Sequence, residues 1–186
     1  MIPPEVRTYL RPDEVLLWWG RPDPAKTFTR GDAELVPFSI VLATFAVFWE
    51  SNALSANGSP VFALFGLPLV AVGAHMTVGR FFYKRSLKRR TVYAVTNQRA
   101  IVAVGATSLV DGPLRHQPLN VRRSRNGRHT DVIIGSGISR ESAIYANSGM
   151  DGFTRVSGGL AGPAFYDVTD GAAMLHAIDI ARSGGQ

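Results

Sequence analysis

No cysteine occurs among the 186 residues, which excludes disulfide bridges, thiolate metal sites and cysteine nucleophiles together. Formal charge is also missing over a long interior stretch: Ser51 to Gly79, 29 residues, holds no Asp, Glu, Lys or Arg. The constellations that catalysis needs are scarce too. Of the four histidines, His75, His116, His129 and His176, only His176 has an acidic residue one helical turn away, Asp179, and a metal would need two further ligands from elsewhere. Gly135-Ser136-Gly137-Ile138-Ser139 has the glycines of a phosphate loop, yet no Gly-Lys-Ser/Thr follows and no parallel βαβ pattern surrounds it, so it reads as a turn. No nucleophile elbow is present. Asp167 and Asp170 straddle a strand-to-helix junction, where Asp170 serves as a helix cap. These absences predict a non-enzymatic protein without a cofactor or metal.

What is present is apolar length. Val61 to Gly79 is almost wholly apolar, and its continuation to Tyr83 is long enough, at about 1.5 Å per helical residue, for the roughly 30 Å core of a bilayer. Leu35 to Trp49 (LVPFSIVLATFAVFW) precedes it, 15 residues without charge. Residues 50–60 (ESNALSANGSP) hold Asn57-Gly58 and Pro60, a turn composition. The pattern predicts a two-helix transmembrane hairpin over residues 35–83. Residues 1–34 carry five basic residues (Arg7, Arg11, Arg21, Lys26, Arg30), the connecting loop none, and residues 80–90 six, so both termini are expected on the cytoplasmic side. Trp49, Phe81, Phe82 and Tyr83 stand at expected headgroup levels. A cleavable signal peptide is not expected, because the first apolar run begins only at residue 35 behind a mixed-charge segment. His75, inside the second span, is expected to hydrogen-bond a neighbouring helix or a partner. Gly66, Ala71, Gly73, Ala74 and Gly79 permit close helix approach.

The net charge of +6 suggests nucleic acid until it is divided: residues 80–90 supply six positive charges and no negative ones, and the remainder cancels. Lys84, Arg85, Lys88, Arg89 and Arg90 therefore read as a topology determinant and as contacts to anionic lipid, worth about 1 kcal/mol each near a charged leaflet. Arg122, Arg123, Arg125 and Arg128 form a second candidate anion-contact group. Nucleic acid is not expected as a partner.

Beyond residue 90 the pattern turns to strands. Thr91–Thr96 and Arg99–Val104 alternate around Asn97-Gln98, a hairpin in which Tyr93 and Val95 are expected to face Ile101 and Ala103. Thr96 and Asn97 are placed to bond the turn backbone, and Arg99, directly after it, to brace an acidic residue across the fold. A second hairpin joins 116–123 to 129–134 through Asn126-Gly127, which supplies the positive φ of a two-residue turn. Shorter strands are expected at 142–146, 153–156 and 164–168. Thr169 or Asp170 then caps a helix from Gly171 to about Arg182.

Several stretches resemble one family. Leu10-Arg11-Pro12-Asp13-Glu14 through Trp18, Gly20 and Pro22 is similar to the L-x-P-x-E-x-x-x-W-x-G-x-P lead-in of YdbS-like bacterial PH-domain membrane proteins. Thr91-Val92-Tyr93-Ala94-Val95-Thr96-Asn97-Gln98-Arg99-Ala100-Ile101 resembles their first hairpin, Val78 to Phe82 their span exit, and Phe165 to Asp170 their last strand and helix entry. Residues 109–162 match only in composition. The resemblance implies an α+β membrane protein: a cytoplasmic segment (1–34), the transmembrane hairpin (35–83), and a cytoplasmic PH-like β-barrel or sandwich with a C-terminal capping helix (84–186), at a bacterial inner membrane. With it comes the expectation of a membrane-anchored scaffold or interaction protein, an accessory to a larger membrane protein complex, with membrane lipids and a membrane protein as partners. The alternative is a sensor of anionic lipid headgroups or a small ligand through Arg122 to Arg128.

Overall fold

The computed structural model describes residues 2–29, 31–55, 60–105, 108–136, 147–149 and 162–184. A short helix α1 (Pro4–Arg7) leads to strand β1 (Leu16–Gly20), and a strap of residues 21–31 leads to helix α2 (Asp32–Ser55). Helix α3 (Pro60–Ala74) runs without a break through a π-helical segment (His75–Gly79) into α4 (Arg80–Arg90). Strands β2 (Thr91–Thr96), β3 (Arg99–Val104), β4 (Ser108–Pro113), β5 (Leu119–Arg123), β6 (Thr130–Ile134) and β7 (Ala164–Val168) follow, and helix α5 (Gly171–Ser183) ends the fold. The strands expected at 142–146 and 153–156, like the turn at Asn57-Gly58, lie outside the described residues.

The molecule is α+β. Among the described residues its strands form two antiparallel sheets, β1-β2-β3-β4 and β5-β6-β7, with a β-bridge between Pro22 and Val168. Among the described residues no closed barrel forms. The main core lies between the sheets and α5: Tyr93, Val95, Val132, Ile134 and Phe165 meet Met174, Ile178 and Ala181. The Tyr93 and Phe165 rings stack with centroids 4.8 Å apart, and Trp18 lies 6.2 Å from Phe165. Register corrects the expected facing of the first hairpin. Tyr93 pairs with Val102 and Val95 with Ala100. Alternation along the strands then puts Ile101 on the opposite face, where it packs with Val92, Ala94 and Val6 of α1. Sheet β1-β2-β3-β4 is therefore covered on both sides, and the N-terminal segment supplies both an extra strand and a lid.

Among the described residues one helix, Asp32–Ala53, is long and apolar enough to cross a membrane, and little of it is buried. It packs antiparallel on α3. A Cβ at Gly73 would lie 3.1 Å from the Ala43 Cα, so this glycine serves the closeness of the pair, whereas a Cβ at Gly66 would meet the movable end of the Glu50 side chain. The Thr77 hydroxyl bonds the Gly73 carbonyl at 2.7 Å and reaches the Ser39 carbonyl at 3.4 Å. Thr77, in the π segment, thus makes a polar contact with α2. His75 is exposed and makes no hydrogen bond to the neighbouring helix among the described residues, which leaves the partner half of the expectation for it.

The second hairpin forms, but its turn differs from the expected two-residue type. Only Gly127 takes a left-handed φ, +68°, while Asn126 does not. Ser124 N–H bonds the His129 carbonyl and Gly127 N–H the Ser124 carbonyl, giving a longer loop in which Asn126 receives the Ser124 hydroxyl.

Candidate functional site

Three charged groupings organise the surface and interior of this fold. The first joins the two most specific motifs of the sequence. Arg99 Nε and Nη2 donate to the two oxygens of Glu14 at 2.8 and 3.0 Å, Nη1 reaches Asp111 at 2.5 Å, and Nη2 also donates to the Tyr9 carbonyl at 2.9 Å. Glu14 further accepts from Thr96 Oγ1 and Arg11 N–H. Asn97 and Val15 exchange two bonds at 3.0 Å, Val15 N–H to Asn97 Oδ1 and Asn97 N–H to the Val15 carbonyl. Burial acts to raise the Glu14 carboxyl, yet the bonds from Arg99, Arg11 and Thr96 outweigh it and hold the group at about 2. Arg99 is raised above its ordinary value, chiefly by Glu14. Arg99 thus braces acidic residues, as expected, and the acid is the Glu14 of the lead-in.

The second grouping runs along α4. Arg80, Lys84 and Lys88, one turn apart, share one face and are buried, at 1%, 1% and 4% exposure. Arg80 pairs with Asp32 at 2.7 Å, and Lys84 donates to the Thr27 carbonyl at 2.6 Å and lies 3.7 Å from Asp32. Lys88 spends its three N–H bonds on the Asp167 carboxylate (2.5 Å) and the carbonyls of Lys26 (2.6 Å) and Asp23 (3.2 Å). Two of the five residues expected to touch lipid, Lys84 and Lys88, therefore point inward and hold the strap. Arg85, Arg89 and Arg90 are exposed and, with Phe82 and Ser86, line an open depression of about 470 Å³ on the other side of the helix.

Asp167 is the hub of the third grouping. At φ +56°, it pairs with Lys26 at 2.5 Å as well as Lys88, accepts from Asn147 Nδ2 at 2.6 Å, and gives its N–H to Asp131 at 2.7 Å. Burial alone acts to raise Asp167, but Lys88, Lys26 and Asn147 prevail and hold it below the usual carboxylate range. Asp131 has no such cation in contact among the described residues, and burial pushes it up. Nearby, the His129 hydrogen bond of 2.9 Å holds Asp23 low.

Between this hub and the β5–β6 hairpin opens a cleft of about 620 Å³, lined by Lys26, Phe28, Asn147, Tyr166 and Asp167 together with Arg122, Arg123, Arg125 and Asp131 of the hairpin. The structure thus brings three of the four expected loop arginines to one cleft. Arg128 is exposed and does not line it. Asp170 caps α5 through Ala173 N–H at 3.4 Å, and Trp18, Tyr93, Thr96 and Asn97 sit in the core and clamp described above. Sequence reasoning missed Lys26, Asp131 and Asn147 as lining residues, and Asp167 as a hub. For Arg80, Lys84 and Lys88 the four-residue spacing was a readable signal that they share one face. Compared with family models, with curated proteins and with solved structures, the chain matches none.

Proposed function

We propose that this protein is a non-enzymatic membrane-anchored scaffold: a helical hairpin holds a cytoplasmic α+β domain of the PH-like kind against the inner leaflet, where it serves a larger membrane protein complex. The observation that carries this reading is the bare apolar surface of α2. Phe38, Val41, Phe45 and Phe48 are 59%, 68%, 52% and 65% exposed, whereas a helix of this length in a water-soluble protein hides such side chains. Lipid is the solvent that suits them. Leu64, Leu67 and Val72 of α3 point outward likewise, and α3 with its π segment matches the roughly 30 Å of a bilayer core. The basic residues flanking both helices favour cytoplasmic termini in a bacterial inner membrane. A reporter fused after Gln186 is then cytoplasmic and one inserted at Asn57 external. An external C-terminus refutes the topology, and extraction in mild detergent without any stoichiometric protein partner refutes the scaffold.

A further inference from the structure

We propose that the cleft between the strap and the β5–β6 hairpin binds a phosphate group, presented by an anionic lipid headgroup of the leaflet in which the hairpin is anchored. The inference rests on the membrane-anchored reading for the source of the phosphate, and on the cleft itself for the chemistry.

Three observations carry it. First, Arg122, Arg123 and Arg125 line the cleft with no side-chain hydrogen bond or ion pair among the described residues, while almost every other cation nearby is committed. A guanidinium offers a planar fork of N–H donors matched to phosphate oxygens, and such charge-assisted bonds are the strong ones. Second, the acids of the cleft do not cancel these charges. Asp167 is already shared by Lys26 and Lys88, and Asp131, opposite Arg122 in the strand register, lies beyond ion-pair distance of it. Third, the cleft opens at the foot of the apolar helix. Gly31, which lines it, immediately precedes Asp32, the first residue of α2. Phe28, also lining it, is 67% exposed and packs 5.1 Å from the Phe81 ring, an aromatic pair at the level where headgroups meet such rings. A volume of about 620 Å³ accommodates a glycerophosphate headgroup, with its acyl chains leaving along α2.

The test uses the full chain in a neutral maltoside detergent, titrated with dioctanoyl phosphatidylglycerol, with dioctanoyl phosphatidylcholine, and with inorganic phosphate. Binding is read by native mass spectrometry and by the shift in melting temperature. One phosphatidylglycerol is expected to bind at least tenfold more tightly than phosphatidylcholine, whose choline cation the arginines repel. Arg122→Gln/Arg123→Gln/Arg125→Gln weakens it at least tenfold, whereas Arg7→Gln/Arg11→Gln/Arg182→Gln, removing equal charge elsewhere, changes it less than twofold. Inorganic phosphate that binds equally well and is lost in the same cleft variant supports the phosphate chemistry and assigns a soluble source. Equal retention of both lipids, or a cleft variant that binds like the parent, overturns the proposal. The phosphate arm reads the cleft even if the topology reporters place the hairpin outside the bilayer, so the two failures are distinguishable.

Discussion

Replacing Glu14 by glutamine keeps the shape of the side chain but leaves the Arg99 guanidinium opposite a neutral amide, in a place where the Glu14 side chain is fully shielded from solvent. Breaking a buried pair from one side is far costlier than losing an exposed one. Glu14→Gln is expected to destabilise the domain by on the order of 3 kcal/mol. Asp111→Asn, removing a partner that is 37% exposed, costs under about 1 kcal/mol. Thermal unfolding of the two variants checks the contrast, and equal shifts would refute the dominance of Glu14. The same carboxylate sets a pH dependence. Its folded value of about 2 lies below the ordinary 4.5, so its contribution is complete above 4.5 and is lost as pH falls towards 2. Asp23 and Asp167 act in the same direction. Asp131, pushed up, acts oppositely: the folded state takes its proton more readily, so its contribution declines as pH rises above its ordinary value of 3.8. Melting temperature should therefore fall steeply below pH 4.5 in the parent and less steeply in Glu14→Gln.

The α2–α3 pair depends on a missing side chain at Gly73. A leucine at Gly73 must displace the Ala43 backbone, against which even a Cβ would sit at 3.1 Å. Because the chain has no cysteine, a Ser39→Cys/Thr77→Cys pair is a clean probe of this packing. It is expected to cross-link on mild oxidation in native membranes, and Gly73→Leu to lower the yield several-fold; an unchanged yield would show that the helices meet elsewhere. At the β5–β6 turn, Gly127 has open space for a side chain but a φ of +68°, so Gly127→Val costs on the order of 1 kcal/mol through backbone strain alone, measurable in the same melts. Local pattern made some elements legible: the β2–β3 hairpin, the Asn-Gly loop and the Asp170-capped α5 all follow from residues close in sequence. Strand β4, SLVDGP, was not legible, because an edge strand tolerates the Gly and Pro that argue against a central one. Neither was β1, whose Leu-Leu-Trp-Trp run lacks alternation and becomes a strand only by pairing with β2, more than 70 residues later. The loop arginines could be read as a group. Their position against Lys26 and Asp167 could not, since a strap and a strand far apart in sequence form the other wall.

A fragment of residues 91–186 has every strand but the first, yet loses Glu14, the α1 lid and the strap. Arg99 then faces only half-exposed Asp111, Asp167 lacks both cations, and the outer face of β2 and β3 is uncovered. Such a fragment is expected to show no cooperative melting, and a sharp transition within a few degrees of the full chain would refute that dependence. The strap has one more consequence. Lys88 and Lys84 engage it, and Arg80 engages Asp32 directly after it, at three successive turns of α4, and α4 is the same continuous helix as α3. A helix gripped on one face at three levels cannot swivel about its axis without exposing three buried charges at once. In the membrane-anchored arrangement proposed above, torque applied to the hairpin by a neighbour would not be dissipated in a slack linker. It would arrive at the sheets as rotation, and the cleft, which the strap helps to line, would change shape with it.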